Sequence, residues 1–142
     1  MNDLLDVNVW MALVDQRHTQ HRAARQYWER NGDATFCFCR VTMLGFLRLL
    51  TAPQASSKPK TGDEAWMIYR QFLDLPNVCI LPEPAELELV FYSLTAHLSP
   101  PSFFWIDAYL AAFTLAGKGR LVTFDPGFKR FSNLNLLLLK FS

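Results

Sequence analysis

Three aspartates stand where a strand ends or a helix begins. Asp6 closes the apolar run Leu4-Leu5, and Asn8 follows two residues later. Far down the chain, Asp107 opens the apolar helix Trp105-Ile106-Asp107-Ala108-Tyr109-Leu110-Ala111-Ala112, and Asp125 closes the strand Arg120-Leu121-Val122-Thr123-Phe124. In a parallel α/β sheet the carboxyl ends of the strands share one edge, and ligands bind there. Three carboxylates from distant segments then meet at one point. They repel one another, and burial raises the cost, so they need a neutralising partner. A hard divalent cation with oxygen ligands meets that need best. The chemistry this implies is metal-assisted phosphodiester cleavage.

Each acid also has a plainer role. Asp6 can cap the helix after it, Asp107 can cap a helix starting at Ala108, and Asp125 can cap a turn with Pro126 at its first position. Asn8 strengthens the case for Asp6, because its amide can hold a metal-bound water or a phosphate. His18, His21 and His97 have no evident partner and read as surface residues.

The elements that position these acids alternate along the chain. Strands are expected over 4–7, 35–39, 77–81, 121–124 and 134–139, the last fully buried. Helices are expected over 8–14, 19–30, 42–50 with Thr42 as cap, 62–75, 85–97 and 104–116, with a short helical turn over 126–131. Residues 54–61 read as an exposed loop and residues 99–102 as a break. Strand and helix in alternation predict a three-layer α/β/α fold with a mainly parallel central sheet. The 142 residues are expected to form a single domain over 1–142.

Composition excludes several classes. Apolar residues make up 51% of the chain and charged residues 19%, so global disorder is excluded. The net charge of +1 is not that of a protein that coats nucleic acid, although a local basic patch is compatible with it. Cys37, Cys39 and Cys79 read as reduced, buried thiols in a cytoplasmic protein. No signal peptide is evident, and Leu136-Leu137-Leu138-Leu139 is far too short to cross a membrane. Trp10, Trp28, Trp66 and Trp105 read mostly as core.

Four segments in order carry a family likeness: Leu4-Leu5-Asp6-Val7-Asn8-Val9, Thr42-Met43-Leu44-Gly45-Phe46-Leu47-Arg48-Leu49-Leu50-Thr51, Asp107-Ala108-Tyr109-Leu110-Ala111-Ala112, and Leu121-Val122-Thr123-Phe124-Asp125. Together they resemble the PIN-domain ribonucleases, and more narrowly the VapC-type toxins of bacterial toxin–antitoxin pairs, over essentially the whole chain. The resemblance implies a Mg²⁺- or Mn²⁺-dependent endoribonuclease in which Asp6, Asp107 and Asp125 are catalytic and bind the metal. Asn8 and Thr123 are then auxiliary polar positions. It also implies an RNA substrate, a homodimer, and a cognate antitoxin that lays a helix into an apolar groove; the aromatics of residues 62–75 read first as core, and would suit that helix where exposed. Arg40, Arg48, Lys129 and Arg130 become candidates for RNA backbone contacts. Arg48, within an apolar helix, is expected to have a carboxylate or phosphate partner. The chain departs from the family at Met43, where a fourth acid is usual and methionine cannot ligate magnesium usefully. Glu64 is a possible substitute, and a non-cutting module that binds RNA or protein is the alternative. A haloacid-dehalogenase-type phosphatase ranks last, since Asn8 stands where that family has a second aspartate.

Overall fold

Strand and helix do alternate from one end to the other. In this computed structural model, which describes residues 1–53, 58–99 and 104–140, the order is β1 (Asn2–Leu5), α1 (Val7–Val14), α2 (His21–Arg30), β2 (Thr35–Phe38), α3 (Arg40–Thr51) and α4 (Gly62–Leu73), followed by β3 (Val78–Ile80), α5 (Leu87–Thr95), α6 (Trp105–Gly117), β4 (Arg120–Thr123), a 3-10 turn (Pro126–Arg130) and β5 (Leu136–Leu138). Part of the expected loop over 54–61 and part of the break at 99–102 lie outside the described residues.

The five strands form one sheet in the order β3-β2-β1-β4-β5, every pairing parallel. The expected α/β/α architecture is therefore present, and the sheet is wholly parallel. β1 is central: the chain winds outward from it through β2 and β3, then returns to its other side for β4 and β5. The reversal lies between the carboxyl ends of β1 and β4, the place where doubly wound sheets bind ligands.

Both sheet faces are covered, which is why the strands read as continuous apolar runs. Leu5 and Val122 point to one face and pack with Val9 and Trp10 of α1, Tyr27 of α2, Phe46 of α3 and Tyr69 of α4. Leu4 and Leu121 point to the other and pack with Leu87 of α5, Leu110 and Phe113 of α6, and Phe128. The alternation of neighbouring residues between faces is the period-two geometry of a strand. Trp10 stacks on Phe38 at 3.9 Å between ring centroids and meets Phe72 edge-on at 4.9 Å. That clamp fixes α1, the helix that Asp6 begins.

α3 packs across α1 through Gly45. A Cβ at Gly45 would lie 2.9 Å from Cγ2 of Val7, the residue next to Asp6. Val7 is β-branched and has little rotamer freedom in a helix. Gly45→Ala is therefore expected to destabilise the protein by roughly 1–2 kcal/mol in urea unfolding, despite the better helix propensity of alanine.

Several boundaries differ from the sequence reading. α3 starts at Arg40, with Cys39 at the cap position. Thr42 is the third helical residue; its hydroxyl accepts from the Cys39 backbone N–H at 2.9 Å and is not itself the cap. α6 ends in a left-handed residue at Lys118 (φ 57°) rather than at a glycine. Gly119 has a different purpose, since a Cβ there would lie 2.7 Å from the Asn2 carbonyl oxygen. β5 is half-buried along its length, because it is an edge strand and not the buried strand expected. Trp66 and Trp105 are exposed, leaving Trp10 and Trp28 as the core pair. Among the described residues no helix is long and apolar enough to cross a membrane.

At the amino end of the sheet sits a polar cluster that the sequence reading did not single out. Asp3 on β1 is fully buried. It accepts from Arg120 of β4 at 3.0 and 2.8 Å and from the Tyr27 hydroxyl of α2 at 2.5 Å. Arg120 also donates to Asn31 at 3.2 Å. Burial and the bond to Asp3 push the Tyr27 hydroxyl well above the usual tyrosine range.

Candidate active site

At the opposite, carboxyl end of β1 and β4, Thr123 is the hub. Its hydroxyl donates to Asp6 Oδ2 at 2.7 Å. It accepts from the Asp125 backbone N–H at 3.0 Å and from Asn8 Nδ2 at 3.3 Å. Thr123 is fully buried, so its one donor and two acceptor sites are all used. Asn8 also accepts from the Phe124 N–H at 3.4 Å. The second Asp6 oxygen, Oδ1, accepts from the Val7 N–H at 2.8 Å, so Asp6 does cap α1 as well as face the hub.

Asp125 caps the 3-10 turn, with Oδ1 accepting from the Gly127 N–H at 2.8 Å and Pro126 at the first position. Its plainer role is therefore real. Asp107 is not a cap. It lies inside the first turn of α6, behind Phe104 at the cap position, where the positive end of the helix dipole favours an acid. Its carboxylate Oδ2 accepts from Arg130 Nη2 at 2.7 Å.

The charges at this edge act on one another. Burial raises the Asp6 carboxyl above the usual range; the bonds from Thr123 and Val7 pull it back down; the charges of Asp107 and Asp125 raise it again. Three acids drawn from β1, α6 and the end of β4 thus converge closely enough for the buried one to respond to both others. Among the described residues, no three of His, Cys, Asp and Glu already stand at metal-holding distance. Asp107 is turned onto Arg130, and Asp125 onto its own turn. In donor chemistry the set nonetheless fits a hard divalent cation: all its oxygens are carboxylate, and the central acid, half-buried, has two hydrogen bonds but no cationic partner among the described residues.

The remaining residues divide. Arg40 is exposed and directly follows Cys39, which the β1–β2 register (Leu4 opposite Cys37) sets opposite Asp6. It therefore stands at the same edge. Arg48 is exposed farther along α3, and it has no carboxylate partner: the ion pairs among the described residues are Arg25–Glu29, Arg120–Asp3 and Arg130–Asp107. Lys129 is exposed on the 3-10 turn. Met43 is buried in the core, so α3 sends no acid to the site from that position. Glu64 does not replace it, because its carboxylate accepts from the Thr61 N–H at 2.9 Å in a capping box at the start of α4. His18 and His21 are half-buried and structural: His18 Nδ1 accepts from the Gln20 N–H, and His21 Nδ1 lies 2.7 Å from the Ala12 carbonyl oxygen.

A groove of about 570 Å³ runs between α1, α3 and α4, floored by Met11, Val14, Leu50 and Phe72 and flanked by Arg17 and Lys60. It lies on the helical layer outside the sheet, its lining includes Asp15, and none of Asp6, Asp107 and Asp125 is part of it.

The PIN domain family matches residues 4–134. Ribonuclease VapC41 of Mycobacterium tuberculosis is 39% identical, over 96% of this chain and 97% of that protein. Among solved structures, Mycobacterium tuberculosis VapC20, described as a sarcin–ricin loop cleaving toxin, superposes with a TM-score of 0.68 at 16% identity, covering 90% of this chain and 93% of that one. VapBC-1 from nontypeable Haemophilus influenzae gives a TM-score of 0.68 at 16% identity, covering 97% and 98%. At that identity the superpositions speak for the fold alone.

Proposed function

The chain belongs to the PIN-domain family and to its VapC ribonucleases, and from that premise we propose that Asp6, Asp107 and Asp125 are the catalytic carboxylates, holding Mg²⁺ or Mn²⁺ for hydrolysis of RNA. The activity is that of an endoribonuclease, and the protein is the toxin of a toxin–antitoxin pair. What carries the assignment of residues is the Thr123 hydroxyl on Asp6 at 2.7 Å, with Asp107 and Asp125 near enough for their charges to be felt there. The relatives leave the non-cutting alternative without support.

The protein's own groups supply positioning. Thr123 and the Val7 N–H fix both oxygens of Asp6, and Asn8 ties α1 to the end of β4. Arg40, beside Asp6 at the sheet edge, and Arg48 and Lys129 farther out, guide the phosphate backbone. When bound, the divalent ion supplies charge neutralisation and lowers the pKa of a water. Purified protein is expected to cut a structured RNA in Mn²⁺ and to stop in excess EDTA; cutting that persists in EDTA would remove the metal from the mechanism.

The antitoxin fits the α1–α3–α4 groove, whose apolar floor suits a helix and whose rim, with Arg17, Lys58 and Lys60 beside Asp15, suits a partner of mixed but mainly acidic charge. A homodimer is placed on the α5–α6 face, where Leu89, Tyr92 and Ile106 are exposed. Ile106 is 64% exposed, so Ile106→Glu is expected to leave the fold intact and yield a monomer in light scattering, where the wild type runs as a dimer. A wild type that is itself monomeric would rule out that interface. We read the chain as one domain over 1–142. Three free thiols at Cys37, Cys39 and Cys79 and an RNA substrate fit a cytoplasmic site of action.

A further inference from the structure

We propose that Arg130 is a built-in counter-ion to Asp107 that competes with the divalent cation and so sets its affinity. The inference rests on the metal-binding reading of Asp6, Asp107 and Asp125. Arg130 has four partners and one side open to solvent. Nη2 donates to Asp107 at 2.7 Å and Nη1 donates to the Gly127 carbonyl at 2.9 Å. The guanidinium lies 4.0 Å over the Phe104 ring and 5.0 Å from that of Phe131.

The backbone is shaped to admit it. A Cβ at Gly127 would come within 2.8 Å of Arg130 Nη1 and 3.0 Å of Asp125 Oδ1. The space a side chain would fill there is the space that Arg130 and Asp125 share. This is the one ion pair among the described residues that involves a site acid, and its anchors on Gly127, Phe104 and Phe131 are independent of Asp107.

Two consequences follow from charge. Without metal, Arg130 offsets part of the repulsion among three converging carboxylates. A divalent cation held by Asp107 would share that carboxylate with the fixed charge of Arg130, and the two would oppose each other. Arg130 is a positioning residue in this account: it acts through Asp107 and the field at the site. The pair is about a third exposed on both sides, so solvent reduces the effect without removing it.

The test is calorimetric titration of the metal-stripped full chain with Mn²⁺, alongside thermal melting with and without Mn²⁺. Three variants serve: Arg130→Gln, which is shorter and polar but carries no charge; Arg130→Ala; and Arg130→Lys, which keeps the charge. Expected is an affinity about tenfold tighter in Arg130→Gln and Arg130→Ala, and close to wild type in Arg130→Lys. The neutral variants are expected to melt lower than wild type without metal and to recover that difference in saturating Mn²⁺. Unchanged or weaker Mn²⁺ binding in folded Arg130→Gln overturns the proposal, and weaker binding would make Arg130 only a holder of Asp107. In either case wild-type Mn²⁺ uptake and RNA cleavage would stand. No Mn²⁺ uptake by any form, wild type included, overturns the metal reading and this proposal with it.

Discussion

Asp6→Asn is expected to lower RNA cleavage roughly a thousandfold, a loss of about 4 kcal/mol of transition-state stabilisation. The substitution keeps shape and exchanges a charged oxygen for an amide. Asparagine caps helices as well as aspartate does, so the bond from the Val7 N–H survives. The Thr123 hydroxyl loses its acceptor, because the amide nitrogen takes the place of Oδ2. What is lost is the one buried negative charge that faces Asp107 and Asp125. Relief from burying that charge offsets the lost Thr123 bond, so the metal-free variant is expected to stay folded and to melt close to wild type. The measurement pairs initial cleavage rates in Mn²⁺ with thermal melting. A rate within a few-fold of wild type, in a folded protein, would remove Asp6 from the chemistry.

The largest effect on stability is expected at the other end of the same strand. Asp3→Ala should cost about 3 kcal/mol in urea unfolding, since it leaves the Arg120 guanidinium and the Tyr27 hydroxyl without their shared acceptor. Arg120 keeps a quarter of its side chain in solvent, which places the cost toward the low end for broken buried pairs. Converting both partners, Asp3→Leu with Arg120→Leu, is expected to cost less than Asp3→Ala alone, because no charge is stranded. A single variant within 0.5 kcal/mol of wild type, taken as roughly the scatter of surface substitutions, would show that the cluster does not hold the sheet.

The period-two and helical patterns were strong enough to place all five strands and six helices in the right order, because each apolar run carries both its period and its punctuation. What they could not fix were ends set by tertiary neighbours. α3 begins at Arg40 because the Cys39 backbone meets the Thr42 hydroxyl, a bond with no hydrophobic signature. β5 looked fully buried because four leucines run together, yet its edge position exposes it. At the site, the strand-end and helix-start positions of Asp6, Asp107 and Asp125 were legible, as was Thr123 beside the last of them. The Arg130–Asp107 pair was not: the two residues are 23 apart, on a helix and a 3-10 turn whose docking no local pattern encodes. Its only trace was Gly127 within Pro126-Gly127-Phe128-Lys129-Arg130, which reads as turn chemistry. Asp3 went unremarked because a charged residue at a strand's start looks solvated until the partner strand arrives.

The central place of β1 has a temporal meaning as well. Asp6 is synthesised 117 positions before the hydroxyl that orients it, and Asp3 is the same distance ahead of the guanidinium that satisfies it. Between them the sheet has only its β2–β3 flank, and β1 is an open edge. On the ribosome Asp6 therefore waits without Thr123 until β4 has been made, and a chain cut short before β4 lacks Thr123 and Asp125 and is expected not to cut RNA. The order of the strands thus separates the making of the first site acid from the completion of its surroundings.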